Sequence, residues 1–201
     1  MSTLEPTQTK PFISPWWALY IAAVIAYPVF FIWSPPIVLE EYGQLTPFVL
    51  QDHQNTAFHL GQDNRPMIVN FIFTRCQDVC PLLSTKMALL QDKLDTDEAL
   101  LISITVDPTY DTPSVLREYA TRYNANPAQW LFLTGTEQQI RNTVDQFQQY
   151  YEITHSSTPD NPPNIMHSEK FILVDEYGYI RGFFDDDPQG INALLRSISH
   201  I

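Results

Sequence analysis

The sequence predicts a small α/β sandwich around a mixed central sheet. Three observations carry that prediction. Two near-continuous apolar runs rich in β-branched residues, Met67 to Phe73 and Leu100 to Val106, read as strands buried on both faces. Each is followed by a segment with helical signals. The chain then closes with a hairpin pattern and a short helix, which adds antiparallel strands to a parallel pair.

Composition narrows the function. The 201 residues carry 11 Lys and Arg against 23 Asp and Glu, a net charge of −12. An acidic surface repels phosphate backbones, so nucleic-acid binding is excluded as the main activity. Hydrophobic residues at 44% and aromatics at 13% exclude a disordered chain. With two cysteines, Cys76 and Cys80, neither a disulfide-rich scaffold nor a self-contained four-cysteine zinc site is possible.

Residues 1–11 are a short polar tail with one base, Lys10. Trp16 to Trp33 is free of charge, and with Phe12 and Ile13 the apolar stretch 12–33 reaches about 22 residues, enough to span a bilayer. Trp16, Trp17 and Trp33 stand near its ends, where amphipathic rings favour the interface. Pro28 is tolerated in a lipid-embedded helix. A cleaved signal peptide would show a basic start, a shorter core and a small-residue cleavage site. A buried core helix would show a polar face. The stretch therefore reads as one N-terminal transmembrane helix. Lys10 on one side and Glu40 and Glu41 on the other place the N-terminus in the cytoplasm and the rest of the chain outside it. Residues 34–44 read as a Pro-containing acidic linker, and 45–201 as one globular domain.

Within that domain Phe48 to Leu50 and Ala57 to Leu60 read as a strand pair around a polar turn. After Phe73 comes Thr-Arg-Cys76-Gln-Asp-Val-Cys80-Pro, then a helix over Leu82 to Leu94 with Leu83, Met87, Leu90 and Leu94 on one face. Asp107-Pro108 ends the second buried strand. Asp111-Thr112-Pro113 is a helix start, a capping side chain followed by proline, and that helix runs to about Tyr123. Trp130 to Leu133 is a short strand and Thr136 to Tyr150 a helix. Thr154 to Asn164 is a Ser/Pro/Asn loop. Lys170 to Asp175 and Tyr179 to Phe183 form a hairpin about Glu176-Tyr-Gly178, and Gly190 to Ser199 is a closing helix.

Chemistry in such sheets gathers where a strand's carboxyl end meets a helix amino end. Cys76 and Cys80 stand at that junction. Their i, i+4 spacing allows two thiolates on one metal ion, a redox dithiol or a disulfide. A helix amino end favours thiolate, while Asp78 between them opposes it. A structural staple over so short a loop contributes little. Two thiolates and an imidazole suit copper, and Cu(I) accepts few ligands. Among the histidines, His53 falls in the first hairpin turn, His59 in a strand and His200 beside the terminus. These three read as ordinary surface or satisfied residues. His155, in the polar loop, and His167, just before the strand Phe171 to Val174, are the candidates for a third ligand.

Four segments in order resemble the SCO/SenC family of copper-binding, membrane-anchored, thioredoxin-like proteins that serve assembly of cytochrome c oxidase. Leu45-Thr-Pro-Phe-Val-Leu is similar to the family's opening strand. Cys76-Gln-Asp78-Val-Cys80-Pro81 resembles its C-x-D-V-C-P metal motif. Asp107-Pro108-Thr-Tyr-Asp111-Thr112-Pro113 resembles its D-P-x-x-D-T-P turn. His167-Ser168, with Leu173 and Asp175, resembles its H-S-x-x-x-x-L-x-D segment. Gln77 and Met166 stand where proline and aspartate are frequent in the family.

The resemblance implies a thioredoxin-like sandwich and one copper ion, Cu(I) or Cu(II), held by Cys76, Cys80 and His167, with Asp78 beside the metal. It implies a copper chaperone whose partner is cytochrome c oxidase subunit II or another copper-site protein. The expected location is the inner membrane, crossed once, with the globular domain on the periplasmic side. Two rivals stand beside this reading. Cys76 and Cys80 could be the redox dithiol of a thiol-disulfide oxidoreductase, although C-x-x-C is the commoner spacing for that chemistry. The chain could also sense copper or redox state without delivering metal.

Overall fold

The computed structural model describes residues 40–149, 151–153, 165–167 and 169–201, with four earlier positions, Trp16, Tyr20, Ile21 and Val24. Those four are helical and exposed. The rest of the segment 12–33, read as a transmembrane helix, lies outside the described residues. Among the described residues no helix is long and apolar enough to cross a membrane. The chain divides into two units, Met1–Val38 and Leu39–Ile201, and the strands and helices below all belong to the second.

In chain order the elements are β1 (Gly43–Gln44), β2 (Val49–Asp52), β3 (Ala57–His59), β4 (Met67–Ile72), α1 (Val79–Lys93), β5 (Leu100–Thr105), α2 (Pro113–Arg122), β6 (Trp130–Thr134) and α3 (Glu137–Gln146). They continue with β7 (Tyr151–Ile153), β8 (Ile165–His167), β9 (Phe171–Val174), β10 (Tyr179–Phe184) and α4 (Pro188–Ile198). Eight strands form one sheet in the order β1-β10-β9-β4-β5-β6-β2-β3. The centre, β4-β5-β6, is parallel, and the flanking pairs are antiparallel. The sheet is mixed, as predicted.

All six residues of β4 and all six of β5 are buried, which is why both segments read as unbroken apolar runs. They pair in parallel from Met67 opposite Leu100 to Ile72 opposite Thr105. Successive side chains point to opposite faces. On one face Ser103 Oγ donates to Asn70 Oδ1 at 2.7 Å and Trp130 Nε1 donates to Ser103 Oγ at 3.0 Å. Tyr119 of α2 covers this face, edge-on to Phe132 at 6.0 Å. A hydroxyl pair at 3.0 Å, Ser84 with Tyr119, joins α1 to α2. On the other face Phe71 meets Phe147 at 5.5 Å, and Phe48 stands 6.2 Å from the same ring.

Helix boundaries follow their caps. Leu83, Met87 and Leu90 form the buried stripe of α1, and Leu94 just beyond it is also buried. The cap of α2 is Thr112, whose hydroxyl faces the Val115 amide, with Pro113 in the first turn. Thr136 and Gln139 form a reciprocal capping box at the start of α3. That helix stops at Gln146, short of the predicted Tyr150, because Phe147 turns into the core at 1% exposure and Gln148 takes a positive φ of 56°. In the β9–β10 turn Asp175 accepts the amides of Tyr177 and Tyr179, and Gly178 takes φ 82°, a region open to glycine.

Two features escaped the sequence pattern. Gly43–Gln44, the end of the stretch read as a linker, is a short edge strand on β10. Tyr151–Ile153 and Ile165–His167 pair antiparallel as a separate two-stranded sheet. Strands of two or three residues are too short to display alternation. The loop read over 154–164 lies outside the described residues.

Leu83 is fully buried while its neighbour Leu82 is 50% exposed. Urea unfolding should therefore show Leu83→Ala losing about 2–5 kcal/mol. Leu82→Ala should stay within about 0.5 kcal/mol of the parent. Equal losses would mean that α1 presents a different face to the sheet.

Candidate metal centre

Adjacent parallel strands β4 and β5 end side by side, and the loops that leave them bind each other. The first loop carries Thr74, Arg75 and Cys76 into α1. The second runs from Val106 to the start of α2. Asp111, with no exposed surface, reaches from the second loop to the first. Its carboxylate accepts the Thr74 amide at 3.0 Å, the Thr74 hydroxyl, and the Thr105 hydroxyl at 2.5 Å. Burial raises the Asp111 pKa, and the donors from Thr105 and Thr74 act against that rise.

A second clamp lies beside the first. Asp107, 5% exposed, takes the Arg75 guanidinium through Nη2 at 2.6 Å and Nε at 3.2 Å. That guanidinium also lies over the Tyr110 ring, 4.2 Å from its centroid. Both residues immediately before Cys76 are thus fixed from the β5–α2 loop. The sequence presents Asp107 and Tyr110 only as parts of a turn and Asp111 only as part of a helix start. Two carboxylates four residues apart, closing a buried strand, were the available signal, but their partners Thr74 and Arg75 are 32 or more positions away.

The first amides of an α-helix have no intrahelical acceptor. Asp78 is the N-cap of α1, yet its side chain makes no capping hydrogen bond. The sulfur of Cys76 occupies that role: the amides of Asp78, Val79 and Cys80 donate to it, as does the Cys80 thiol. The Cys80 thiol contributes most, and together these donors lower the Cys76 pKa to about 5 against the burial that opposes them. Cys80, fully buried, moves the other way, because its proton is held by Cys76 and because burial disfavours its charge. Neither cysteine is in a disulfide, and Cys76 is half-buried. Of the pair, Cys76 is therefore the sulfur that favours the thiolate and Cys80 the one that favours the thiol.

The histidines sort as follows. His53 is buried, its Nδ1 accepting the Phe132 amide at 3.2 Å. His59 and His200 are exposed. His155 lies outside the described residues. His167 is the last residue of β8, opposite Tyr151, and its side chain is outside what is described. Its place in the chain is informative. In β9, antiparallel to β4, Ile172 sits opposite Val69 and Val174 opposite Met67. The start of β9 therefore lies toward the end of β4 from which the Cys76 loop departs. Among the described residues no group of three His, Cys, Asp or Glu side chains is gathered around one point. Soft sulfur donors at an amide-rich helix start fit a soft cation such as Cu(I).

A mixed sheet with a dithiol where a central strand meets a helix start defines a thioredoxin-like protein. The sequence profile of the SCO1/SenC family matches residues 40–201, and the chain belongs to that family. The SCO2-like protein RC0895 of Rickettsia conorii is 35% identical over 136 residues, covering 65% of this chain and 64% of its own length. The chain thus spans just under two thirds of that relative. The crystal structure of yeast Sco1 with copper bound is 26% identical with a TM-score of 0.65, covering 78% of this chain and 89% of the other. BsSco, a member of the Sco family of cytochrome c oxidase assembly proteins with a disulfide switch, is similar at 24% identity and a TM-score of 0.65, over 83% and 95%. At that identity the likeness to BsSco carries the fold alone. Of these relatives, yeast Sco1 is a copper-binding protein and BsSco a member of the Sco family of cytochrome c oxidase assembly proteins.

The donor geometry predicts a pH signature. In the reduced protein, ultraviolet thiolate absorbance should rise with a midpoint near pH 5, a step absent from Cys76→Ala. Cys80→Ala, which removes the strongest donor, should move that midpoint upward. The folded state releases this proton more readily than the unfolded chain, where the thiol titrates near 9.0. Stability relative to Cys76→Ala should then grow from about pH 5 to 9 and be lost as pH falls through 5. A flat difference over that range would contradict the amide-bound thiolate.

Proposed function

We propose that this chain is a membrane-anchored copper chaperone. Residues 12–33 hold it in the inner membrane, and the globular domain on the periplasmic side carries one copper ion, Cu(I) or Cu(II), on Cys76, Cys80 and His167. The recipient is the dinuclear copper site of cytochrome c oxidase subunit II. The observation that carries this reading is the pair of sulfurs placed together at the start of α1, Cys76 favouring the thiolate and Cys80 the thiol. With Cys76 already a thiolate near neutral pH, copper displaces one proton, from Cys80, rather than two. Three ligands leave the ion open to the recipient's own donors, so transfer proceeds without free copper. Asp78, exposed beside the sulfurs, adds negative charge where a cation is held. The −12 charge suits a basic docking surface on the recipient.

Copper titration of the reduced full chain should give one tightly bound equivalent. Cys76→Ala and Cys80→Ala should lose it, and His167→Ala should weaken it roughly tenfold or more. Equal binding by the parent and His167→Ala would remove the histidine from the site.

The asymmetry of the two thiols also supports a second reading, reduction of a partner disulfide. The Cys76 thiolate attacks one partner sulfur, forming a mixed disulfide and releasing the other as a thiolate. Cys80 gives up its proton and attacks the Cys76 sulfur, freeing the second partner thiol. Two electrons pass to the partner, and the chain keeps the Cys76–Cys80 disulfide. A dithiol potential between about −270 and −200 mV, together with weak copper binding, would favour this reading over delivery. A more negative potential with tight copper binding would favour the chaperone.

A further inference from the structure

Away from the dithiol, a pocket of about 340 Å³ opens between the β2–β3 turn and the second half of α2. His53, Gln54, Arg117 and Thr121 give its lining polar groups, and Ala120, Ala125 and Pro127 give it apolar surface.

His53 is only 4% exposed. Its Nδ1 accepts the Phe132 amide at 3.2 Å, which fixes the ring proton on Nε2. No described residue accepts that Nε2–H. The sealed, unpartnered side-chain atoms among the described residues are Asn70 Nδ2 and Thr134 Oγ1, so the Nε2 edge is not closed off. Arg117 Nε donates to the His53 carbonyl at 3.1 Å, which anchors the guanidinium over the same opening. Its two Nη groups make no hydrogen bond or ion pair among the described residues. The adjoining carboxylate, Asp52, accepts the amides of Gln54 and Thr56, each at 2.8 Å. A nearly buried donor and an unneutralised cation thus share one pocket in a chain of net charge −12.

We infer that this pocket binds a short aliphatic carboxylate. The carboxylate takes the Arg117 Nη donors and the His53 Nε2–H, and its carbon chain lies against Ala120, Ala125 and Pro127. One formal positive charge balances a monoanion. A phosphate dianion would leave net negative charge beside Asp52, at a desolvation cost nothing here offsets. The inference does not depend on the copper reading, since the pocket shares no residue with the Cys76–Cys80 site.

The test is a titration of the full chain with butyrate at constant ionic strength, following the His53 ring resonances by NMR. Acetate and inorganic phosphate are parallel titrants. Butyrate should move the His53 signals saturably, and acetate should bind several-fold more weakly for want of the apolar chain. Phosphate should bind more weakly than butyrate. Arg117→Gln, a change on an exposed side chain, should weaken butyrate at least tenfold while the far-ultraviolet circular dichroism stays unchanged. Loss of saturable shifts, equal affinity for acetate and butyrate, tighter phosphate binding, or an unaltered Arg117→Gln titration would each overturn the inference.

Discussion

The amides that begin α1 need an acceptor, and the chain gives them a sulfur. That single substitution of Cys76 for an ordinary cap organises the site. It sets which cysteine is the thiolate and which the thiol, because Cys80 donates from inside the helix while Cys76 receives from outside it. It also leaves Asp78, the formal cap, free of a capping bond and exposed beside the sulfurs. A serine or aspartate in the same position would satisfy the helix equally well. What it would not supply is a polarisable donor for a soft cation or an attacking sulfur.

A sulfur held by amides is useful only if the loop that carries it stays in place. Asp111 and Asp107 do this from the neighbouring strand's loop, one through the Thr74 amide and hydroxyl, the other through the Arg75 guanidinium. Both carboxylates are buried, and their donors offset part of the desolvation that burial imposes. The parallel pairing of β4 and β5 makes the arrangement possible, since it ends both strands at the same level and sets their loops in contact. Sheet order and site geometry are therefore one constraint: shift β5 by one residue and Thr105, which donates to Asp111, would face away from it.

Much of this was legible in the sequence. The buried central strands, the stripe on α1, the Thr112-Pro113 start and the Asp175–Gly178 turn all follow from patterns within a dozen residues. The placement of Cys76 and Cys80 at a strand–helix junction was equally local. The roles of Asp107 and Asp111 were not, because their partners lie more than thirty positions away and no periodicity marks them. His53 is a second case. Its turn position left a surface residue and a satisfied one both open, and β2–β6 pairing buries it against Phe132 and leaves one ring nitrogen toward a pocket.

By itself the sequence determined the class of fold, the strand–helix junction and the identity of the two sulfurs, since each depends on residue type and short spacing. The tertiary structure alone decided how the pair is ionised and what holds it. A thiol's charge depends on the donors and the burial around it, and those come from amides aligned by helix formation and from loops joined across the sheet. Such long-range proximity is a property of the folded chain, and no local pattern encodes it.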